Sequence, residues 1–418
     1  FNYMILSSWG RLRSCKTNNQ LIFEGKKDNL TIGNLRSYGD QAYNHNVNLT
    51  FQNNRILSFN QKKGLISCES GLLINDLCDV IHKFGFTLPV VPGSGFVTIG
   101  GAVSNDIHGK SHHINGSIGN HIANLSIFYK GKILNCSPFK NKELFSSIIA
   151  GMGLLGEIKQ VTLKLSKIKK VDYLVECVAF KTLDNFFTLS NDSNDYSDTV
   201  AWFDCTNKNN RGVFFRATQS RNIKKEDYKK NKISYPFNHS FSLINKVSIF
   251  LFNKVYFYMH LLKQKKITSF DQHHHPLDKI KDWNKIYGSK GFYQFQGVIP
   301  KKYAREGIYK LLEIIRVSGQ GSFLSVLKNF GPIRSVGYLS FPIEGTTIAI
   351  DFPNQGAKTE KLIHNLYNIV ISYNGKIYPA KDALMTSNQF RSCYPNFKKF
   401  LKLRDPSIQS EMSRRYKI

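Results

Sequence analysis

Acidic side chains are scarce in this sequence. It has 29 Asp and Glu against 58 Lys and Arg over 418 residues, a formal net charge of +29. So basic a chain suits nucleic acid, an anionic membrane surface or a phosphorylated substrate, although a lysine-rich coding bias would give the same excess. Nucleic acid is not the expected partner, because zinc-finger spacing, RNP-type aromatics and a basic heptad are all missing. Cysteines are few as well: seven, at 15, 68, 78, 136, 177, 205 and 393, with no C-x-x-C pair. An odd, scattered set excludes a disulfide framework and a zinc ribbon and fits reduced thiols in a cytoplasmic protein. The histidine groups His108, His112, His113 and His273–His275 have no carboxylate or thiol at ligand spacing except Asp106, so no metal is expected. Long apolar runs are also absent. Ile5-Leu6 is too short for a signal peptide, and Ile249–Leu262 is fourteen residues interrupted by Lys254, short of the ~20 that cross a bilayer.

What the sequence does have is a glycine-rich stretch, Pro92-Gly-Ser-Gly-Phe-Val-Thr-Ile-Gly-Gly-Ala-Val-Ser-Asn-Asp-Ile-His-Gly-Lys110. Glycine at this density lets backbone N–H groups converge closely on a ligand, a diphosphate above all. A second loop, Gly33-Asn-Leu-Arg-Ser-Tyr-Gly-Asp40, can hold the other side of the same ligand. His108 closes the long loop at the place where a reacting group belongs. Gly151-Met-Gly-Leu-Leu-Gly156 matches the dinucleotide fingerprint by letter. A helix should enter it and a strand leave, however, the reverse of what a nicotinamide site requires. Gly109-Lys-Ser111 lacks the first glycine of a phosphate loop.

Length and an apolar content of 41% predict two domains with folded cores. Up to about residue 170, short strands and helices alternate. Leu73, Leu77, Val80, Ile81 and Phe84 recur at helical spacing before Gly85. From about 173 to 375, longer alternating strands such as 212–217 and 346–352 predict an antiparallel sheet with one face covered. The segment 223–267 has lysines at both ends and an apolar centre. It reads as a buried or substrate-covering helix rather than an interfacial one, since its faces are not cleanly divided. Gln294 and Gln296 share a strand face and suit sugar hydroxyls or simply water. Lys328 and Lys381 stand in apolar surroundings, either as anion anchors or as snorkelling surface residues.

These residues, with Thr98-Ile-Gly-Gly101, Asp106-Ile-His-Gly-Lys110, Ala201-Trp-Phe-Asp204, Tyr293-Gln-Phe-Gln296, Asn329-Phe-Gly-Pro332 and Ala380-Lys-Asp382 in the same order, carry a resemblance that runs almost end to end. The chain resembles the flavin oxidases of the vanillyl-alcohol-oxidase type, within them a branch acting on a polyprenyl-phosphoryl sugar. The resemblance implies an α+β, two-domain, PCMH-type FAD-binding fold: FAD domain 1–172, antiparallel-sheet substrate domain 173–375, and a segment 376–418 returning to the first domain. It implies FAD held by Gly33, Arg36, Ser37, Tyr38, Gly39, Asp40, Gly93, Thr98, Ile99, Gly100, Gly101, Asn105, Asp106 and His108, with Ile158 near the adenine and Tyr378 by the flavin. Tyr38 stands where many relatives link FAD to a His, so the flavin should be non-covalent. Trp202, His274, Gln294, Gln296, Lys328, Thr347 and Lys381 would meet substrate, with Lys381 or His108 as the proton acceptor. The implied reaction is oxidation of a ribose 2-hydroxyl to the ketone. A separate NADH-dependent short-chain reductase then completes epimerisation to the arabinose lipid, and the enzyme is peripheral to the inner face of the plasma membrane. Three positions depart from the family: Leu35 where Gly is usual, Thr347 for Asn, and His274 for Tyr. The alternatives are an aldonolactone or alditol oxidase acting on a soluble sugar, a flavin-free basic protein binding nucleic acid, and an FAD-binding scaffold without catalysis.

Overall fold

The computed structural model describes residues 3–18, 29–169, 171–220, 233–262 and 264–418. Two antiparallel sheets organise them. The smaller runs in the order Ile56–Asn60, Leu65–Glu69, Glu157–Lys164, Ile122–Tyr129, Lys132–Cys136. Beside it lies the helix Ile74–Ile81, which buries Leu77 and Ile81 of the expected set together with Ile74 and Cys78, whereas Leu73 and Val80 are half-buried and Phe84 is exposed. The chain leaves through Gly85 in the left-handed conformation, φ +75°, the stop expected there. The larger sheet has eight strands, in the order Lys265–Thr268, Tyr173–Phe180, Gly212–Gln219, Asp198–Phe203, Ser325–Phe330, Gly345–Pro353, Phe292–Pro300, Lys376–Ile377. The architecture is α+β, with the antiparallel sheet that the alternating pattern predicts.

Strand alternation decides what the large sheet does. Leu327, Ile348, Ile350 and Phe295 are fully buried on one face, against helices that include Ala304–Ser318 and Ala357–Ser372. Gly297 sits where a Cβ would press on Val370, so the sheet and the second of these helices approach closely. The other face carries polar and aromatic side chains and looks toward the glycine-rich loops. The C-terminal residues come back to those loops: Arg415 pairs with Asp40 at 2.6 Å and with Asp382 at 2.8 Å, and Glu411 N–H donates to the Tyr43 carbonyl.

The lysine-flanked segment differs from expectation. Residues 223–232 and 263 lie outside the described ones, and Lys246–Leu262 is a helix. Ile249, Asn253 and Phe257 are buried, whereas Val247, Phe250, Leu251, Val255, Tyr258 and Met259 are each more than half exposed. The helix is therefore not an ordinary buried one. It carries apolar stripes on opposite sides, which is why its sequence shows no clean division into faces. Among the described residues, no helix is long and apolar enough to cross a membrane.

Candidate active site

The polar face of the large sheet roofs a cavity of about 920 Å³. Directly opposed residues of antiparallel strands share a face, so the register writes rows across the roof. Trp202, Val326, Ala349 and Gln296 form one row, and Lys328 opposes Thr347 in the next. Gln294, two residues before Gln296, opposes Asp351. Trp202 is fixed by its indole N–H, which donates to the Phe323 carbonyl at 2.8 Å.

The facing wall is loop. Residues 30–38 run along it, and Gly93, Thr98, Gly100 and Gly101 join them. Thr98 caps the short helix Ile99–Ser104 by accepting from Gly101 N–H at 3.1 Å. The first loop passes so close to Asp382 that a Cβ at Gly39 would collide with its carbonyl, and only glycine fits. A Cβ at Gly93 would meet nothing within 4 Å. That glycine borders open cavity rather than protein, as a ligand lying on the backbone demands. Leu35, which replaces the usual glycine, keeps a left-handed backbone with φ +51°. The loop path is thereby retained at a cost of about 1–2 kcal/mol.

Orphaned polar atoms test whether this wall fits FAD. Ser70 Oγ, Arg36 Nε and Gln41 Oε1 belong to residues that line the cavity, are buried, and have no hydrogen-bond partner among the described residues. Each unsatisfied group costs about 1–3 kcal/mol, so the wall is complete only with a polar ligand in place. Ile158, Met152, Gly153 and Gly156 add a flat, weakly polar end suited to an aromatic base. These residues fit the cofactor.

At the other end the ionisable side chains converge. Lys328 Nζ lies 3.0 Å from His108 Nδ1 and donates to the Gly109 carbonyl at 2.9 Å, while the Gln296 amide nitrogen lies 3.0 Å from His108 Nε2. Burial, reinforced by Lys328, holds His108 well below the usual imidazole range. Burial also pushes Lys328 down to about 7, with Lys110 adding repulsion. Lys381 sits 3.7 Å above the Tyr38 ring and is lowered by burial to about 7, an effect that the Asp351 carboxylate opposes. Asp351 is fully buried and raised to about 6. It accepts hydrogen bonds from Gln294 and from Tyr287, the latter at 3.1 Å. The Tyr378 hydroxyl donates to the Asn105 carbonyl at 3.0 Å, and its ring stands 5.4 Å from that of His108. Lys328 and Lys381 are thus not snorkelling surface residues; both are turned into the cavity.

Every residue expected at substrate lines the cavity. Of those expected at the cofactor, Gly33, Arg36, Ser37, Tyr38, Gly93, Thr98, Gly100, Gly101, Asn105, His108, Ile158 and Tyr378 line it, whereas Gly39, Asp40, Ile99 and Asp106 stand behind the wall. The reason is visible for the two acids. Asp40 is taken up by Arg13 and Arg415. Asp106 is fully buried and accepts from Ser117 Oγ, Gly119 N–H and Ser340 Oγ at 2.8, 2.9 and 2.6 Å. Both acids brace the loops from behind.

Comparison with known proteins settles the family. Residues 24–137 match the FAD binding domain model. Over 94% of its length the chain is 30% identical to the decaprenylphosphoryl-β-D-ribose oxidase of Mycolicibacterium smegmatis, covering 90% of that protein. The chain belongs to the decaprenylphosphoryl-β-D-ribose oxidase family. Partial similarity extends to the L-gulonolactone oxidase of Mus musculus, 30% identical over 27% of this chain and 25% of that one. It also extends to a putative D-arabinono-1,4-lactone oxidase of Neurospora crassa, 31% identical over 27% and 20%. The protein is accordingly an FAD-dependent oxidoreductase.

Several site residues escape sequence reading. Asp351 carried a readable signal, because Thr347, Ala349 and Asp351 alternate on one strand and must share the cavity face. Gln41 and Ser70 carried none. The carboxylate that the histidine run lacked in sequence arrives from another strand: Asp198 Oδ2 lies 3.2 Å from His273 Nε2. The glycines 151–156 do sit between the helix Lys142–Ile148 and the strand Glu157–Lys164, and three of these residues wall the FAD cavity.

Proposed function

We propose that this protein oxidises the 2-hydroxyl of a ribose carried on a polyprenyl phosphate to the 2-keto sugar, using non-covalent FAD. The observation that carries the reading is the meeting of Lys381, His108, Lys328, Gln294 and Gln296 at one end of a cavity whose opposite wall fits FAD. When bound, FAD supplies the acceptor for the hydride that leaves the carbinol carbon. Lys381 is the base: with its pKa near 7 about half of it is unprotonated at neutral pH, and that form takes the hydroxyl proton as the carbonyl forms. His108 is a poor base, and both its ring nitrogens are engaged by Lys328 and Gln296, so its role is to orient those two side chains toward the sugar. Trp202 walls the sugar site, and Thr347 adjusts it. Tyr38 in the first glycine loop, where a covalent link would use histidine, supports free flavin. The division into an FAD part, 1–172 with 376–418, and a substrate part, 173–375, is supported by the separate origins of the two sheets and by the grip of Arg415 on Asp40.

The polyprenyl tail brings a bilayer with it. The exposed stripe of helix Lys246–Leu262, whose Phe252 and Tyr256 line the cavity, supports peripheral attachment beside the cavity. The wrong order of elements around residues 151–156 leaves no nicotinamide site there, which supports a separate NADH-dependent reductase as partner. The test is to give the purified protein a polyprenyl-phosphoryl ribose and an electron acceptor. The 2-keto lipid should accumulate, and adding the reductase with NADH should convert it to the arabinose lipid. Flavin that stays oxidised under this substrate overturns the assignment, and arabinose lipid formed from NADH without the reductase overturns the two-protein scheme.

A further inference from the structure

Another group of side chains on the same roof has no part in the proton transfer. Asp198, Ala217, Val175 and Lys266 stand in one row across four strands. That row is one alternation, two residues or roughly 7 Å, from Val200 and the neighbouring Lys328 side of the sheet. Lys266 reaches over the Phe215 ring, with Nζ 5.7 Å from its centre. Lys110, two residues beyond His108, donates from Nζ to the His273 carbonyl. His273 stacks on Tyr173 at 4.4 Å and points Nε2 at Asp198. His274 follows it into the cavity wall; it is 5% exposed, and neither ring nitrogen has a hydrogen-bond partner among the described residues. Lys110, Lys266, His273 and His274 all line the cavity.

Asp198, His273 and His274 offer ligand atoms within 4.8 Å of one another, a set that could hold a metal ion. Charge decides against it. The cluster has one carboxylate against two ammonium groups, so a divalent cation would be added to a buried site that is already positive. An anion is favoured by the same count. It would supply the acceptor that Lys266 lacks among the described carboxylates and that the unpartnered His274 ring nitrogens can meet with an N–H.

We propose that Lys110, Lys266 and His274 bind the phosphate group of the substrate, with Asp198 and His273 positioning the lysines and the histidine pair. The proposal rests on the glycosyl-phosphate reading above and assigns the phosphate a place in the cavity. The sugar is thereby presented to Lys381 with its anionic substituent held one row away. His274, which departs from the tyrosine of the family, then serves as a phosphate donor rather than a sugar contact.

The experiment uses the purified holoenzyme and two probes, farnesyl-phosphoryl-β-D-ribose and methyl β-D-ribofuranoside, with flavin reduction followed by stopped flow. Wild type should prefer the phosphodiester. In Lys266→Ala and His274→Phe, the ratio of kcat/KM for phosphodiester over methyl riboside should fall about 30-fold, as expected for loss of a charge-assisted hydrogen bond. Lys266→Arg should keep most of the preference. Retained FAD absorbance verifies that each variant is folded. An unchanged ratio in both variants overturns the proposal. So does one equivalent of a divalent metal that survives purification of wild type and is lost from His274→Phe. A third arm titrates inorganic phosphate into the holoenzyme without sugar. Binding that is lost in Lys266→Ala supports the anion site even if neither sugar reduces the flavin, in which case the ribose assignment fails alone. Binding that persists in that variant places free phosphate elsewhere and counts against the proposal.

Discussion

At the scale of single residues, the chemistry turns on lysines stripped of water. An ordinary lysine is charged at neutral pH and cannot act as a base. Burial brings Lys381 to about 7, and Asp351 keeps it from falling further. Flavin reduction by substrate should therefore rise with pH through a midpoint near 7 and then level off, since the unprotonated amine is the active form. Asp351→Asn removes the charge that raises Lys381, so the acid limb of that profile should move to lower pH; a shift upward or none at all would show that the pair is not coupled. Lys381→Ala should slow flavin reduction by on the order of 100-fold or more while FAD stays bound. A variant that reduces its flavin at a near-normal rate would leave Lys381 a structural residue.

At the scale of elements, alternation along strands and the double-sided helix matter most. The period of two puts Gln294, Gln296, Lys328, Thr347 and Trp202 on one face and the apolar residues between them on the other. The helix Lys246–Leu262 instead buries one stripe and exposes another, so substitutions on its outer stripe should separate attachment from chemistry. Leu251→Asp with Val255→Asp should sharply reduce flotation with anionic liposomes yet leave flavin reduction by a soluble substrate analogue close to wild type. Full flotation of the double variant would assign attachment to another surface. High salt should weaken whatever part of the binding is due to lysine charge.

At the scale of the whole molecule, the C-terminus holds the cofactor loop. Arg415 bridges Asp40, behind the first glycine loop, and Asp382, beside Lys381; both carboxylates are almost completely buried. Asp382 also accepts from Tyr367 and Tyr416, each at 2.6 Å, so one arginine joins the beginning and end of the chain around the active site. Arg415→Ala leaves the buried Asp382 without its cation and Asp40 with only the half-exposed Arg13, and should destabilise the protein by about 3 kcal/mol or more. Denaturant unfolding measures the loss, and release of FAD at lower denaturant than in wild type checks that the bridge supports the cofactor loop. Unchanged unfolding and unchanged flavin retention would show that the bridge is incidental.

Local patterns in the sequence were enough for the glycine loops, the strand faces of Gln294 and Gln296, the helix stop at Gly85 and the antiparallel class of the large sheet. Each depends on neighbours within a few residues: the conformational freedom of glycine, the period of a strand, the cap of a helix. The same local view could not tell that Asp40 and Asp106 face away from the cavity, that Lys328 is buried and Lys381 lines the cavity, or that Asp198 completes a cluster with His273 and His274. Those outcomes join residues far apart in the chain, such as Asp40 with Arg415 and His108 with Lys328. Only folding sets such distances, and with them the loss of water that moves a lysine toward neutrality. The sequence thus determined which backbone could lie against a cofactor, and the tertiary structure decided which charges would be buried beside it.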